Sequence, residues 1–199
     1  MFQNKIKNLV SFFAFALLTQ QSQAFFVITP NIGYKMQSLK LSDNADIETD
    51  YKMSNPAYGL KLGVQSGSGV GFDISGDYAA GKSRVTTLGV EKEMDYTQTS
   101  VAAQLSVSAN VFRIYLGYVL MNEISFKSNT GGNSYKVKGT GYQVGVGLAL
   151  THSISLDVQY QIDLFNKINF ESIGSDEDIK VYYKKVDSQS TTVSLTYSF

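Results

Sequence analysis

From Phe25 to Phe199 the sequence alternates apolar and polar residues, and this constrains the fold more than any other feature. Gln189–Phe199 shows it most clearly. Thr191, Val193, Leu195, Tyr197 and Phe199 form one set, and Ser190, Thr192, Ser194, Thr196 and Ser198 the other. Successive side chains on a strand point to opposite faces, so this segment has one apolar wall and one hydroxyl wall.

Seven upstream segments share the pattern. Phe25–Met36 sets Phe26, Ile28, Pro30, Ile32 and Tyr34 against Val27, Thr29, Asn31 and Lys35. Pro30 lacks an amide hydrogen, so a bulge or a missing ladder bond is expected there. Pro56–Gln65, Val70–Ala80, Thr97–Ser108, Val111–Met121, Gly139–Leu150 and Ile154–Asp163 continue the series. Short turns follow the second, fourth and sixth segments. Long polar connections, read as surface loops, cover Gln37–Asn55, Gly81–Tyr96, Asn122–Lys138 and Leu164–Ser188. An even strand count with short turns at one end and long loops at the other predicts an all-β chain. Specifically, it predicts an eight-stranded antiparallel up-and-down transmembrane β-barrel. Lipid cannot satisfy open backbone groups, so the first and last strands must pair.

Outward aromatics fall at two heights. Phe26, Phe72, Phe112 and Phe199 lie near the short turns or chain ends. Tyr34, Tyr58, Tyr78, Tyr118, Tyr142 and Tyr160 lie about eight to ten residues higher, on the order of 20–25 Å along tilted strands. Two aromatic girdles flanking a lipid-facing band are expected.

Composition removes competing classes. No stretch after the N-terminus is apolar enough for a membrane helix. There is no Cys, so thiolate and disulfide chemistry are absent. With 17 basic and 17 acidic residues, nothing favours nucleic acid. Met1–Ala24 reads as a cleaved signal peptide. Lys5 and Lys7 precede an apolar Leu9–Leu18, and Ser22-Gln23-Ala24 supplies small residues for cleavage. Residues 25–199 would then be the outer-membrane barrel domain.

The inward faces carry Lys35, Lys61, Asp73, Asp77, Arg113, Asp157 and Asp163 among small and amide residues. An eight-stranded barrel is just wide enough to be filled by its own side chains, and charges inside must pair. A lumen charge network is therefore expected, with Lys61 opposite Asp73 in a hairpin register summing to 134. Its core would be Lys61, Asp73, Arg113 and Asp157.

No catalytic, cofactor-binding or metal-ligating constellation stands out, and no cofactor is expected. His152, the single histidine, falls in a short turn, far from the outer rim. The acidic run Asp176-Glu177-Asp178 reads as a solvated loop. Gly141, Gly145 and Gly147 make room for neighbouring side chains rather than cradle phosphate.

The strand count, the turn–loop asymmetry and the Tyr197–Phe199 ending resemble those of small eight-stranded bacterial outer-membrane β-barrels, the OmpA-type, OmpX and opacity-protein group. The resemblance covers nearly all of the chain beyond residue 24. It implies a bacterial outer-membrane location, with outer-membrane lipid, periplasmic chaperones and the barrel-assembly machinery as partners, and Tyr197 and Phe199 as the assembly signal. It further implies a structural or adhesive role, with loops meeting extracellular or host ligands and no enzymatic activity. No peptidoglycan-binding domain is expected after the last strand. The alternative is a narrow pore for ions or small solutes.

Overall fold

The computed structural model describes residues 24–127, 134–171 and 174–199. The signal-peptide reading of Met1–Ala24 concerns residues that, Ala24 excepted, lie outside these.

The chain runs through β1 (Phe25–Asp43), β2 (Glu48–Gln65), β3 (Val70–Thr87), β4 (Val90–Ala109), β5 (Phe112–Lys127), β6 (Tyr135–Ala149) and β7 (Ile154–Phe170). A two-residue strand β8 (Glu177–Asp178) and a 3-10 turn (Ile179–Val181) lead into β9 (Tyr183–Tyr197). Consecutive long strands pair antiparallel, and β9 lies between β7 and β1. β1–β7 and β9 thus close a barrel of eight strands, and closure removes both edges. Among the described residues, no helix is long and apolar enough to cross a membrane.

Alternation places the faces as the sequence predicts. Ile32, Leu60, Ile74, Leu116, Val144, Val158 and Leu195 stand exposed on the outer wall, while Lys35, Lys61, Gln104, Gln143 and Asp157 are buried inside. Pro30 makes no bulge. The ladder to β2 runs unbroken through Pro30↔Leu60, and the ladder to β9 begins one residue later at Asn31↔Thr196. Placed at the end of that ladder, the missing N–H costs the sheet little.

The four predicted long loops are corrected by the structure. β1 and β2 continue to Asp43 and Glu48, and only Leu88 and Gly89 separate β3 from β4. Both Leu88 and Gly89 have positive φ, 51° and 78°, as a two-residue hairpin turn requires. β5–β6 and β7–β9 also extend well beyond the expected ends. The 19 residues of β1 span about 60 Å of chain, or about 45 Å of height at a tilt near 45°. A lipid-facing band is about 25 Å tall, so about 20 Å of barrel projects beyond it.

Two bulges set the phase of this projection. Leu120 and Met121 both point outward opposite Thr140, which returns Asn122, Ile124 and Phe126 to the interior. Asn166 is the extra residue in β7 against β6, and brings Ile168 inside.

Candidate functional site: a filled lumen beneath an apolar plug

The interior is stacked in layers. At the short-turn end, a vestibule of about 510 Å³ opens among Gln65, Ser106, Ser108, His152 and Ser155 and stops at Asp73 and Arg113. Arg113 donates through Nη2 to Asp73 Oδ2. Above it, Lys61 Nζ donates to Asp157 Oδ2 at 3.3 Å, both side chains almost wholly buried. The Tyr115 ring is a further partner, with Lys61 Nζ 4.7 Å and Arg113 Cζ 5.7 Å from its centroid. Each cation therefore meets a carboxylate and a π face, which offsets part of its desolvation. Tyr115 Oη donates to Gln159 Oε1, and Gln159 Nε2 to Gln143 Oε1.

These pairings correct one expectation. The β2–β3 register places Lys61 opposite Ser75 and Asp73 opposite Gly63. Lys61 instead reaches across the barrel to Asp157 on β7, and Asp73 takes Arg113 on β5. Glycine governs this geometry. Asp77 faces Gly59, Asp157 faces Gly147 and Tyr115 faces Gly145. A Cβ at Gly59, Gly63 or Gly147 would strike the facing carboxylate, and one at Gly145 would strike the Tyr115 ring. The small residue lets each long neighbour lie flat against the wall.

Higher up, Asp163 is 2% exposed and accepts four hydrogen bonds. Gln37 Nε2 and Ser188 Oγ donate to Oδ2 at 3.0 and 2.9 Å. Asn122 Nδ2 and Gln161 Nε2 donate to Oδ1 at 2.7 and 2.6 Å. Gln98 Nε2 donates to Asn122 Oδ1, extending the layer across the lumen. Four donors from surrounding strands satisfy the lone pairs of this buried carboxyl group without a salt bridge. Lys35 and Asp77 lie between this layer and the lower pairs, and both line the same small cavity.

The projecting barrel is filled by an apolar core. Leu39, Leu41, Tyr51, Met53, Ile124, Phe126, Val137 and Ile168 are buried together, and Ile179 from the 3-10 turn completes the cluster. Phe126 stacks on Tyr135 at 5.1 Å and tilts against Tyr51 at 4.8 Å. Burial pushes the Tyr51 phenol up to about 12. The alternation was present in the segments read as loops: Leu39 and Leu41 alternate with Lys40, and Tyr51 and Met53 with Lys52. Their outward partners are charged because this face meets water rather than lipid, and that made the segments look polar.

Each acid of the run Asp176-Glu177-Asp178 has a structural partner. Asp176 takes Lys138 at 2.8 Å and Asn169 at 3.1 Å, Glu177 takes Tyr182, and Asp178 caps the 3-10 turn through Lys180 N. Among the described residues, no group of three acidic, His or Cys side chains could hold a metal. His152 sits in the turn between β6 and β7, at the vestibule rim.

Outside, Tyr34, Tyr58, Tyr78, Tyr118, Tyr142 and Tyr160 are 40–58% exposed and face away from the lumen, as do Phe26, Phe72, Phe112 and Phe199. Tyr58 opposes Tyr78 across β2 and β3, and Tyr118 packs on Tyr142 at 5.3 Å. Tyr197 and Phe199 form an edge-to-face pair at 4.6 Å.

The sequence model of the outer membrane protein beta-barrel domain matches residues 9–199. This chain belongs to that family. Family membership and the lipid-compatible outer wall make it a bacterial outer-membrane β-barrel protein. Solved relatives share the fold at low identity. Ail, the attachment invasion locus protein of Yersinia pestis, crystallised with the heparin analogue sucrose octasulfate, is 18% identical with a TM-score of 0.53. That alignment covers 87% of this chain and 99% of Ail. OprG of Pseudomonas aeruginosa is 13% identical with a TM-score of 0.52, covering 89% of this chain and 96% of OprG. Neisserial surface protein A is 16% identical with a TM-score of 0.50, covering 89% and 99%. No curated protein sequence matches this chain.

Proposed function

We propose that this outer-membrane barrel is a non-conducting, non-enzymatic protein that holds rigid β-hairpins at the cell surface for structural or adhesive contact. One observation carries the reading: the polar lumen is capped by the Asp163 layer and then by the apolar core. An ion crossing it would have to enter a packed hydrocarbon-like interior, where an unpaired charge is very costly. The same core stiffens the projecting hairpins, which suits contact with a partner better than passage of a solute. That Ail has been crystallised with a heparin analogue supports extracellular ligands as the partner class. Single-channel recording in planar bilayers tests the proposal. Silence is expected, and steady, large conductance from intact barrels would refute it and restore the pore alternative.

On this reading Met1–Ala24 is a cleaved export signal, and the surface protein begins at Phe25, which its intact mass would reveal. The Phe and Tyr girdles set its depth in the lipid. Tyr197 and Phe199 are the signal read by the barrel-assembly machinery after periplasmic chaperones deliver the chain. Removing Phe199 should reduce membrane insertion more than secretion. Normal heat-modifiable, inserted protein after that deletion would count against this role.

A further inference from the structure

The lumen holds three cations, Lys35, Lys61 and Arg113, and four carboxylates. Two pairs are made, Lys61–Asp157 and Arg113–Asp73. Lys35 is 6% exposed, yet it makes no ion pair among the described residues. Its charged neighbours are Asp163 above and Asp77 below. Both Asp163 oxygens are already occupied by four donors. A buried ammonium left without hydrogen-bond acceptors would be among the most costly groups in the protein.

A cavity of about 20 Å³ lies beside it, lined by Lys35, Asp77, Asn31 and Gln98 among others. Two of these carry buried polar atoms without a protein partner, the Asn31 Nδ2 donor and the Gln98 Oε1 acceptor. Gln98 is 2% exposed, and its amide nitrogen is committed to Asn122. The space exceeds the roughly 10–15 Å³ that one water requires, and the wall offers more than the two to four polar partners a buried water needs.

We propose that this cavity is a binding site for one long-lived water molecule. The water accepts from Lys35 Nζ and Asn31 Nδ2 and donates to Gln98 Oε1 and Asp77. It carries the Lys35 charge to a carboxylate beyond direct reach, and through Gln98 and Asn122 it meets the Asp163 layer. The other lining groups include Ala57 and Ala79, which face each other across β2 and β3 and leave the space open.

Two measurements on the refolded protein test this. In micelles with ¹⁵N-labelled lysine, the Lys35 ammonium should show a cross-peak to a water that exchanges slowly with bulk, and Lys35→Met should remove it. Lack of that cross-peak in the wild type overturns the proposal, whatever the variants do. Ala79→Val fills the cavity with methyl groups. A dry void filled this way raises the urea midpoint, because packing improves. An occupied water site responds oppositely, because expelling the water strands Lys35, Gln98 and Asp77. A lowered Ala79→Val midpoint is therefore expected, and one at or above wild type also overturns the proposal.

Discussion

Asp163→Asn is the sharpest test of how the lumen is held. The substitution keeps shape and volume but replaces one acceptor oxygen with an NH₂ group. Each carboxylate oxygen receives two donors, Gln37 and Ser188 on Oδ2, Asn122 and Gln161 on Oδ1. If the new NH₂ replaced Oδ1, two amide donors would lose their acceptor. If it replaces Oδ2, the Ser188 hydroxyl can rotate to accept from it while still accepting from Gln37 Nε2 at 3.1 Å, and only one N–H of Gln37 loses its acceptor. The second arrangement wins. It loses two charge-assisted bonds worth about 1.5–3 kcal/mol each and regains one neutral bond of about 1 kcal/mol. Stability should fall by about 2–5 kcal/mol. Urea titration of barrels refolded into vesicles, followed by the heat-modifiable gel shift, measures this. A change below about 0.5 kcal/mol would refute the claim that the two Asp163 oxygens organise this layer.

Other outcomes follow from the remaining layers. Asp157→Asn should destabilise by about 3–5 kcal/mol, because Lys61 is left buried without its charge partner. Lys61→Met combined with Asp157→Leu should recover much of that loss in the same titration. Phe126→Ala opens the surface core and should cost about 3–5 kcal/mol, read as increased protease cutting of the projecting hairpins in intact vesicles. The Lys138–Asp176 contact gives the β8 segment a pH dependence. Lys138 lowers the Asp176 pKa below its ordinary value, so that contribution holds above the usual carboxylate range and is lost as pH falls through the lowered pKa. Asp176 raises the Lys138 pKa, so the same contact fails as pH rises through that raised value. Hydrogen exchange around Glu177 and Asp178 should be slowest between these limits. Protection that does not change across them would exclude the ion pair as the tether.

Much of this protein was readable from the sequence, because strand alternation is a local property. Period two assigned Ile32, Leu60 and Leu195 to the outer wall and Lys61, Asp73 and Asp157 to the inner one before any pairing was known. The strand number followed from the same pattern, and so did the outward aromatics. Pairing within the lumen was not readable in this way. A shift of two residues in the β2–β3 register preserves every face, yet replaces Asp73 with Ser75 opposite Lys61. Lys61 and Asp157 then meet only because closure brings β2 and β7 to opposite sides of one narrow interior. Asp163 gathers donors from β1, β5, β7 and β9, so no segment taken alone announces it. The surface core shows a third limit. Leu39, Tyr51, Ile124 and Phe126 alternate as strands do, but their outward neighbours meet water and carry charge. Alternation along each strand is decided by that strand's own residues. The length of the barrel above the lipid, and the partners of its buried charges, depend on contacts between distant segments, so only the closed tertiary structure settled them.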